Sequence, residues 1–354
     1  MGGTDIPDIP GILAADEVIE TALTLTALQL PSGMIPWFPN GHCDPWNHVE
    51  SAMALCTAGF SVEAERAYQW LADTQRSDGS WFNYYRSDGT VEDYKLDTNV
   101  IAYVATGVFH HWNLTGDRGF VDHMWPTVQR AIDFVLELQT PRGEIIWARH
   151  TNGRPWTYAL LTGSSSICHA LRCAVALAVV VGDERPEWEL AAVTLAEVIR
   201  TKPDAFEPKT RWAMDWYYPV LANVTTGADA HLRLAAKWDE FVMEGRGVRC
   251  VNNEPWVTAS ETAECAIAHA AAGLYETATD LLRWTRAHRQ ADGRYLTGLV
   301  YPDVISFPDQ ECSSYTAAAV ILAADIISGA TPASGLFRGD HLPPVEVGSK
   351  STPW

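Results

Sequence analysis

Six short segments of the chain concentrate the side chains able to do chemistry. GHCDPWNHVES brings His42, Asp44, Trp46, Asn47, His48 and Glu50 together. KLDTNV carries Asp97 and Asn99, and LTGSSS carries Ser164, Ser165 and Ser166. MDWYYP supplies Asp215, Trp216, Tyr217 and Tyr218. PWVTASETAE supplies Trp256, Glu261 and Glu264, and DQECSSYTA supplies Glu311, Ser313 and Tyr315. Carboxylates beside indoles and phenols suit a carbohydrate. Sugar C–H faces stack on Trp and Tyr rings, and Asp, Glu, Asn and His bind hydroxyls. Cleavage of a glycosidic bond needs two carboxyl groups, one to protonate the leaving oxygen and one to activate water or attack carbon.

On this reading Glu261 is the expected general acid and Asp44 the expected general base, with Asp97 and Asp215 as alternatives. Val257 and Ala263 are apolar neighbours that would raise the pKa of Glu261, as a proton donor requires. His42, Asn47 and His48 would hold Asp44 charged and steady a water. The expected sugar-binding set is Trp37, His42, Trp46, Asn47, Glu50, Trp81, Trp216, Tyr217, Tyr218, Trp256 and Glu264. Each acid also has a plainer use. Asp44 before Pro45 reads as a helix N-cap, as do Asp97 and Asp215, and Thr258-x-x-Glu261 reads as a capping box. Ser, Thr or Asn would cap as well, yet five of the six segments carry a carboxylate. Pooled like charges cost stability unless something uses them.

Helical periodicity supplies the elements that must position these residues. Amphipathic helices with charged faces fit near 14–29, 61–76, 119–139, 186–201, 229–243 and 274–289. Apolar helices poor in charge alternate with them, near 45–59, 97–114, 164–181, 215–224, 259–273 and 313–328. A helix apolar nearly all round must be packed on all sides. Six such helices ringed by six amphipathic ones satisfy both patterns. The expected fold is therefore all-α, an (α/α)6 barrel or six-hairpin toroid in one domain. No strand pattern of comparable length competes. A phrase marks the hairpins: Gln29, Gly33, Trp37; Gln75, Gly79, Trp81; Gln139, Gly143, Trp147; and, degenerate, Arg289, Gly293, Tyr295. It recurs at a period of roughly 50 residues, the mark of repeated supersecondary units. Inner helices of such a ring all run the same way, so the six polar segments meet at one mouth. The expected boundaries are an N-terminal extension over 1–12, the toroid over 13–333, and an extended or disordered tail over 334–354.

The chain has 354 residues and a net charge of −19. Neither nucleic acid nor an anionic membrane surface is an expected partner. Seven cysteines, odd in number and without a Cys-x-x-Cys pair, point to reduced thiols and a cytoplasmic protein. The N-terminus lacks an apolar leader, no run of 18 apolar residues appears, and the stretch Ala174–Val181 reads as a buried helix. No His-x-x-x-His or His-Glu-x-x-His pair is present, so no metal is expected despite His42, Asp44 and His48 lying close in sequence. No cofactor is expected. There is no Gly-x-Ser-x-Gly elbow, phosphate loop or dinucleotide fingerprint.

The six hairpins and the segments GHCDPWNHVESAMAL, MDWYYPVL and PWVTASETAE resemble an actinobacterial family of six-hairpin toroids, often labelled prenyltransferase-like. The resemblance spans about Leu13 to Gly339. It implies a glycoside hydrolase acting on an α-linked, mannose-based and partly O-methylated polymer, with an endo-α-1,4-mannosidase as the most specific expectation. Inversion is expected because hairpins one and five are neither adjacent nor opposite, which suits the wider carboxyl separation. Two alternatives stand beside it. A prenyltransferase or terpene cyclase fits the toroid, and the Gln-Gly-Trp phrase looks like a triterpene-cyclase motif. The Asp-x-Asp-Asp cluster and the Asp/Cys/His zinc set are missing, however, and an acidic mouth repels diphosphate. A non-catalytic glycan-binding toroid is the other alternative.

Overall fold

In the computed structural model, which describes residues 5–345, six inner helices form a closed ring. They are Pro45–Thr57, the pair Thr98–Ala102 and Val104–Thr115, Leu161–Val181, Met214–Leu221, Ala259–Ala271 and Ser314–Ser328. Each packs on the next, and the sixth packs on the first. Six outer helices sheathe them: Ala15–Leu28, Ser61–Thr74, Arg118–Leu136, Pro186–Thr201, Gly227–Ala236 and Tyr275–Trp284. The two kinds differ as their sequences require. The fifth inner helix is buried from Ala259 to Ala270. The second outer helix buries one stripe: Ala64, Ala67, Tyr68, Trp70 and Leu71. The third inner helix is long and apolar enough to cross a membrane, and most of it lies buried inside the ring.

The recurring phrase is a latch between neighbouring hairpins. Gln75 Nε2 donates to the Gly79 carbonyl at 2.9 Å and to the Thr127 carbonyl of the next outer helix at 2.9 Å. Gln29 joins Gly33 to Glu63 in the same way, and Gln139 joins Gly143 to Ala191. Gly79 has φ +88, and a Cβ there would lie 2.1 Å from the Arg130 carbonyl oxygen. Only glycine permits both that conformation and that approach. In the degenerate copy Arg289 pairs with Glu20 on the first outer helix, so the last hairpin closes onto the first. Trp81 belongs to this latch. It is buried and its indole donates to the Leu71 carbonyl at 3.0 Å.

Small antiparallel sheets decorate the mouth, which the helical reading did not anticipate. His42–Cys43 pairs with Tyr84–Arg86, which pairs with Val91–Asp93. Leu96–Asp97 pairs with Ala148–Arg149. A five-stranded sheet runs in the order Ile305–Ser306, Gly298–Val300, Trp256–Thr258, Gly247–Arg249, Val242–Met243. Strands of two or three residues are too short to display alternation. Three of them lead straight into inner helices one, two and five, and so fix where Asp44, Asp97 and Glu261 begin.

The C-terminal segment also departs from expectation. Residues 334–345 are not a loose appendage but fold back on the C-terminal ends of the inner helices, away from the mouth. Leu336, Phe337, Leu342 and Val345 are buried. Arg172 Nε donates to the Pro343 carbonyl at 2.8 Å, and Arg200 Nη2 to that of Val345 at 3.1 Å. The rest of the expected tail, 346–354, and residues 1–4 of the expected N-terminal extension lie outside the described residues. Ile9 and Ile12 of that extension are buried against the core.

Candidate active site

A cavity of about 670 Å³ opens where the inner helices begin. All four expected catalytic acids line it: Asp44, Asp97, Asp215 and Glu261. So do Trp37, Trp46, Asn47, Glu50, Tyr218 and Glu264.

Asp44 is both cap and cavity residue. Its Oδ1 accepts from the Asn47 backbone N–H at 3.0 Å, capping the first inner helix. Its Oδ2 accepts from Trp37 Nε1 at 2.7 Å and from Asn47 Nδ2 at 2.6 Å. Burial raises its pKa, and these donors oppose the rise. His48, expected beside it, serves the scaffold instead: its Nδ1 accepts from the Ile35 N–H and its Nε2 donates to the Ala67 carbonyl.

Glu261 is not part of a capping box. Thr258 makes no side-chain cap, and its hydroxyl has no hydrogen-bond partner. Glu261 Oε2 instead accepts from Ser260 Oγ at 2.6 Å. One turn later on the same face, Glu264 accepts from Tyr218 Oη at 2.7 Å and from Tyr217 Oη. Burial, then the charge of Glu261, raises its pKa to about 7 against the lowering effect of both tyrosines. Glu50, buried and facing Glu264, Asp44 and Glu261, is pushed well above the usual carboxylate range, chiefly by burial.

Asp97 and Asp215 are held by other partners. Asp97 caps the second inner helix through the N–H groups of Asn99 and Val100 and lies 3.6 Å from Lys95 Nζ. Burial raises its pKa, and Lys95 works against that. Asp215 is not an N-cap. It accepts from Thr162 Oγ1 at 2.6 Å and from the Lys209 N–H at 3.2 Å.

Five expected sugar contacts are not on the cavity wall. Trp216 is buried, its indole donating to the Arg233 carbonyl at 2.9 Å and its ring stacked on Phe241. Trp81 sits in the latch described above. Trp256 donates to the Phe307 carbonyl at 3.1 Å. Tyr217 is buried behind Glu264, which it holds. His42 packs edge-on to Trp37, with Nδ1 3.6 Å from Glu92. The wall also includes residues outside the expected sugar-binding set: Asn83, Tyr84, Lys95, Trp147, Tyr158, Lys209, Trp212 and Tyr315. Trp147 and Tyr158 stack, and Lys95 Nζ lies 4.2 Å from the Trp147 ring centre. Trp147 was legible as the third copy of the phrase, and Tyr315 as part of the sixth polar segment. The others come from connecting arms whose direction no periodicity reveals. Among the described residues no three His, Cys, Asp or Glu side chains are grouped as a metal ion requires.

No family model matches the chain. It is 48% identical to an "MMP endo-(1,4)-3-O-methyl-alpha-D-mannosidase" of Mycolicibacterium hassiacum over 338 residues, 96% of this chain and 93% of the relative. An uncharacterized glycosyl hydrolase of Methanocaldococcus jannaschii is 27% identical over 118 residues, 32% of this chain and 19% of that one. Among solved structures a glycosidase superposes with a TM-score of 0.72 at 13% identity, over 90% of this chain and 97% of its own. A cellobiose 2-epimerase from Spirochaeta thermophila superposes with a TM-score of 0.64 at 13% identity, over 89% and 96%. Likenesses so low in identity establish the (α/α)6 toroid and nothing more. The likeness to the mannosidase reaches further, for it runs nearly the whole length of both chains, and by it this protein belongs to that mannosidase's family of glycoside hydrolases.

Proposed function

We propose that the chain hydrolyses internal α-1,4 bonds of a 3-O-methylated mannose polymer with inversion, using Glu261 as general acid and Asp44 as general base. The substrate follows from the relative, which its name describes as acting on such a bond. The roles rest on one observation, the chemistry of the groups that hold each carboxyl. A ring N–H and a backbone N–H can only donate, so the partners of Asp44 serve its ionised form. The partner of Glu261 Oε2 is the Ser260 hydroxyl, able to donate to a carboxylate or accept from a carboxylic acid. Asp97 and Asp215 are already engaged by Lys95 and Thr162, which suits them to orient substrate.

Glu261 passes its proton to the glycosidic oxygen as the bond from that oxygen to the anomeric carbon breaks. A water attacks that carbon from the opposite face and gives a proton to Asp44. Exchange with solvent then restores both carboxyls. The first and fifth inner helices are separated by the sixth, an arrangement that suits the wider carboxyl separation of an inverting reaction. Trp37 and Trp46 offer faces to the sugar, and Trp46 is held rigid by stacking on Tyr103 at 4.4 Å. We place the protein in the cytoplasm, in keeping with seven free cysteines, six of them buried, and with no nucleic-acid or membrane partner.

The experiment is hydrolysis of a 4-linked 3-O-methylmannose oligosaccharide by Glu261→Gln and Asp44→Asn. Each is expected to lose about 10²–10⁴-fold in kcat while remaining folded. The first-formed product, read by NMR, is expected to be the β-anomer. A Glu261→Gln enzyme of wild-type activity, or an α-anomer formed first, would defeat the assignment.

A further inference from the structure

Hydrolysis by Asp44 and Glu261 leaves two buried carboxyls without a task. Glu50 and Glu264 are 4% and 7% exposed, and both line the cavity. They project from the same two inner helices as the catalytic pair, further from the helix starts. Their settings differ in one respect. Glu264 is gripped by two phenols, Tyr218 on Oε1 and Tyr217 on Oε2. Among the described residues none gives Glu50 a hydrogen bond, and what acts on it is burial and the negative charge of Glu264, Asp44 and Glu261. A side chain this buried, facing a cavity with its hydrogen-bonding capacity unspent, needs a partner from outside the chain. Two buried carboxyls on one cavity, each feeling the other's charge, also cannot both ionise without cost. The tyrosine hydroxyls favour the charge on Glu264, which leaves the proton on Glu50.

A protonated carboxyl at the floor of a sugar site has a specific use. A methylated sugar oxygen keeps its lone pairs but has no hydrogen. It can accept a hydrogen bond and cannot give one. A carboxylate repels such an oxygen, whereas a carboxylic acid donates to it. We propose that Glu50 keeps its proton and donates a hydrogen bond to a methyl-ether oxygen of the sugar at the point of cleavage, while Glu264, fixed by Tyr217 and Tyr218, accepts from a free hydroxyl beside it. A plain hydroxyl can accept the same bond, but its own hydrogen is then left without an acceptor at that carboxyl, a cost that a methyl ether does not carry, so Glu50 favours a methylated mannose over a plain one. The inference rests on the hydrolase reading above.

The test uses two 4-linked manno-oligosaccharides that differ only in 3-O-methylation, and the ratio of their kcat/KM values. Effects on the chemical step common to both substrates cancel in that ratio. The wild type is expected to favour the methylated sugar. Glu50→Gln, whose amide still donates, should keep most of that preference. Glu50→Ala should lose it by about tenfold, the worth of one hydrogen bond left unmade. If Glu50→Ala does not fold, Glu50→Met, close in size and without a donor, replaces it. The inference is overturned if the donorless variant keeps the wild-type ratio, if Glu50→Gln loses as much as Glu50→Ala, or if the wild type cleaves both sugars without preference. A wild type that cleaves neither sugar would instead overturn the hydrolase reading on which the inference stands.

Discussion

Replacing Trp37 by Phe tests the role of Asp44 without touching its carboxyl. The indole N–H of Trp37 donates to Asp44 Oδ2 at 2.7 Å, and phenylalanine has no such donor. The rest of the site should hold its place. The Trp37 backbone is pinned by its N–H to the His42 carbonyl and by its carbonyl to the Ser314 N–H. Its ring meets Tyr315 and Tyr84 edge-on, contacts that a phenyl ring can keep. Asp44 retains both Asn47 donors. A hydrogen bond to a charged group contributes about 1.5–3 kcal/mol, and 1.36 kcal/mol corresponds to one pKa unit. At the lower end the variant raises the pKa of Asp44 by about one unit.

The sign of the pH effect follows from the role. As a general base Asp44 works ionised, so kcat/KM falls as pH drops through its pKa. Burial has already raised that pKa, and losing the Trp37 donor raises it further. The acid limb of the kcat/KM profile should therefore move up by about one pH unit. Below the limb the rate should fall about tenfold, and above it this cause has no effect. Poorer stacking of sugar on the smaller ring would lower the plateau but not move the limb. The assay is initial-rate kinetics on the methylated oligosaccharide across pH, for both enzymes. An acid limb that stays put, or moves to lower pH, refutes the reasoning. A shift confined to the alkaline limb would make Asp44 the acid rather than the base, because raising the pKa of a required acid extends activity upward.

Two further predictions concern the frame that carries the site. Gly79→Ala should cost roughly 2–5 kcal/mol in urea unfolding, combining the left-handed backbone with the clash against Arg130. Gly89→Ala, at a similar φ of +83 but with nothing within 4 Å, should cost only about 1–2 kcal/mol, and equal losses would dismiss the latch. Deleting residues 334–354 exposes the places of Leu336, Phe337, Leu342 and Val345, each worth about 1.5–3 kcal/mol when buried. That sum rivals the whole stability of a domain, so the truncated chain should unfold or aggregate, and an unchanged melting temperature would show that the segment is idle.

What could be read from the chain followed from what periodicity encodes. The inner helices were legible because each is apolar on all sides, and the acids because they stand where those helices start. Direction at the mouth was not legible. Trp37 follows the glycine of its phrase by four residues and reaches Asp44, whereas Trp81 follows its glycine by two and turns back to the Leu71 carbonyl. That offset is lost when the phrase is read as one unit, and the connecting arms beyond it, with strands of two or three residues, carry no pattern. The same limit hid Lys95, Tyr158 and Lys209, which lie on those arms and line the cavity. The fold of residues 334–345 was not legible for another reason. Their Gly, Pro and Ser content matches that of a tail, but Leu336, Phe337, Leu342 and Val345 are spaced for an irregular turn rather than for a helix or strand. A helix is specified by its neighbours along the chain, whereas the mouth and the segment 334–345 are specified by elements brought beside them in space.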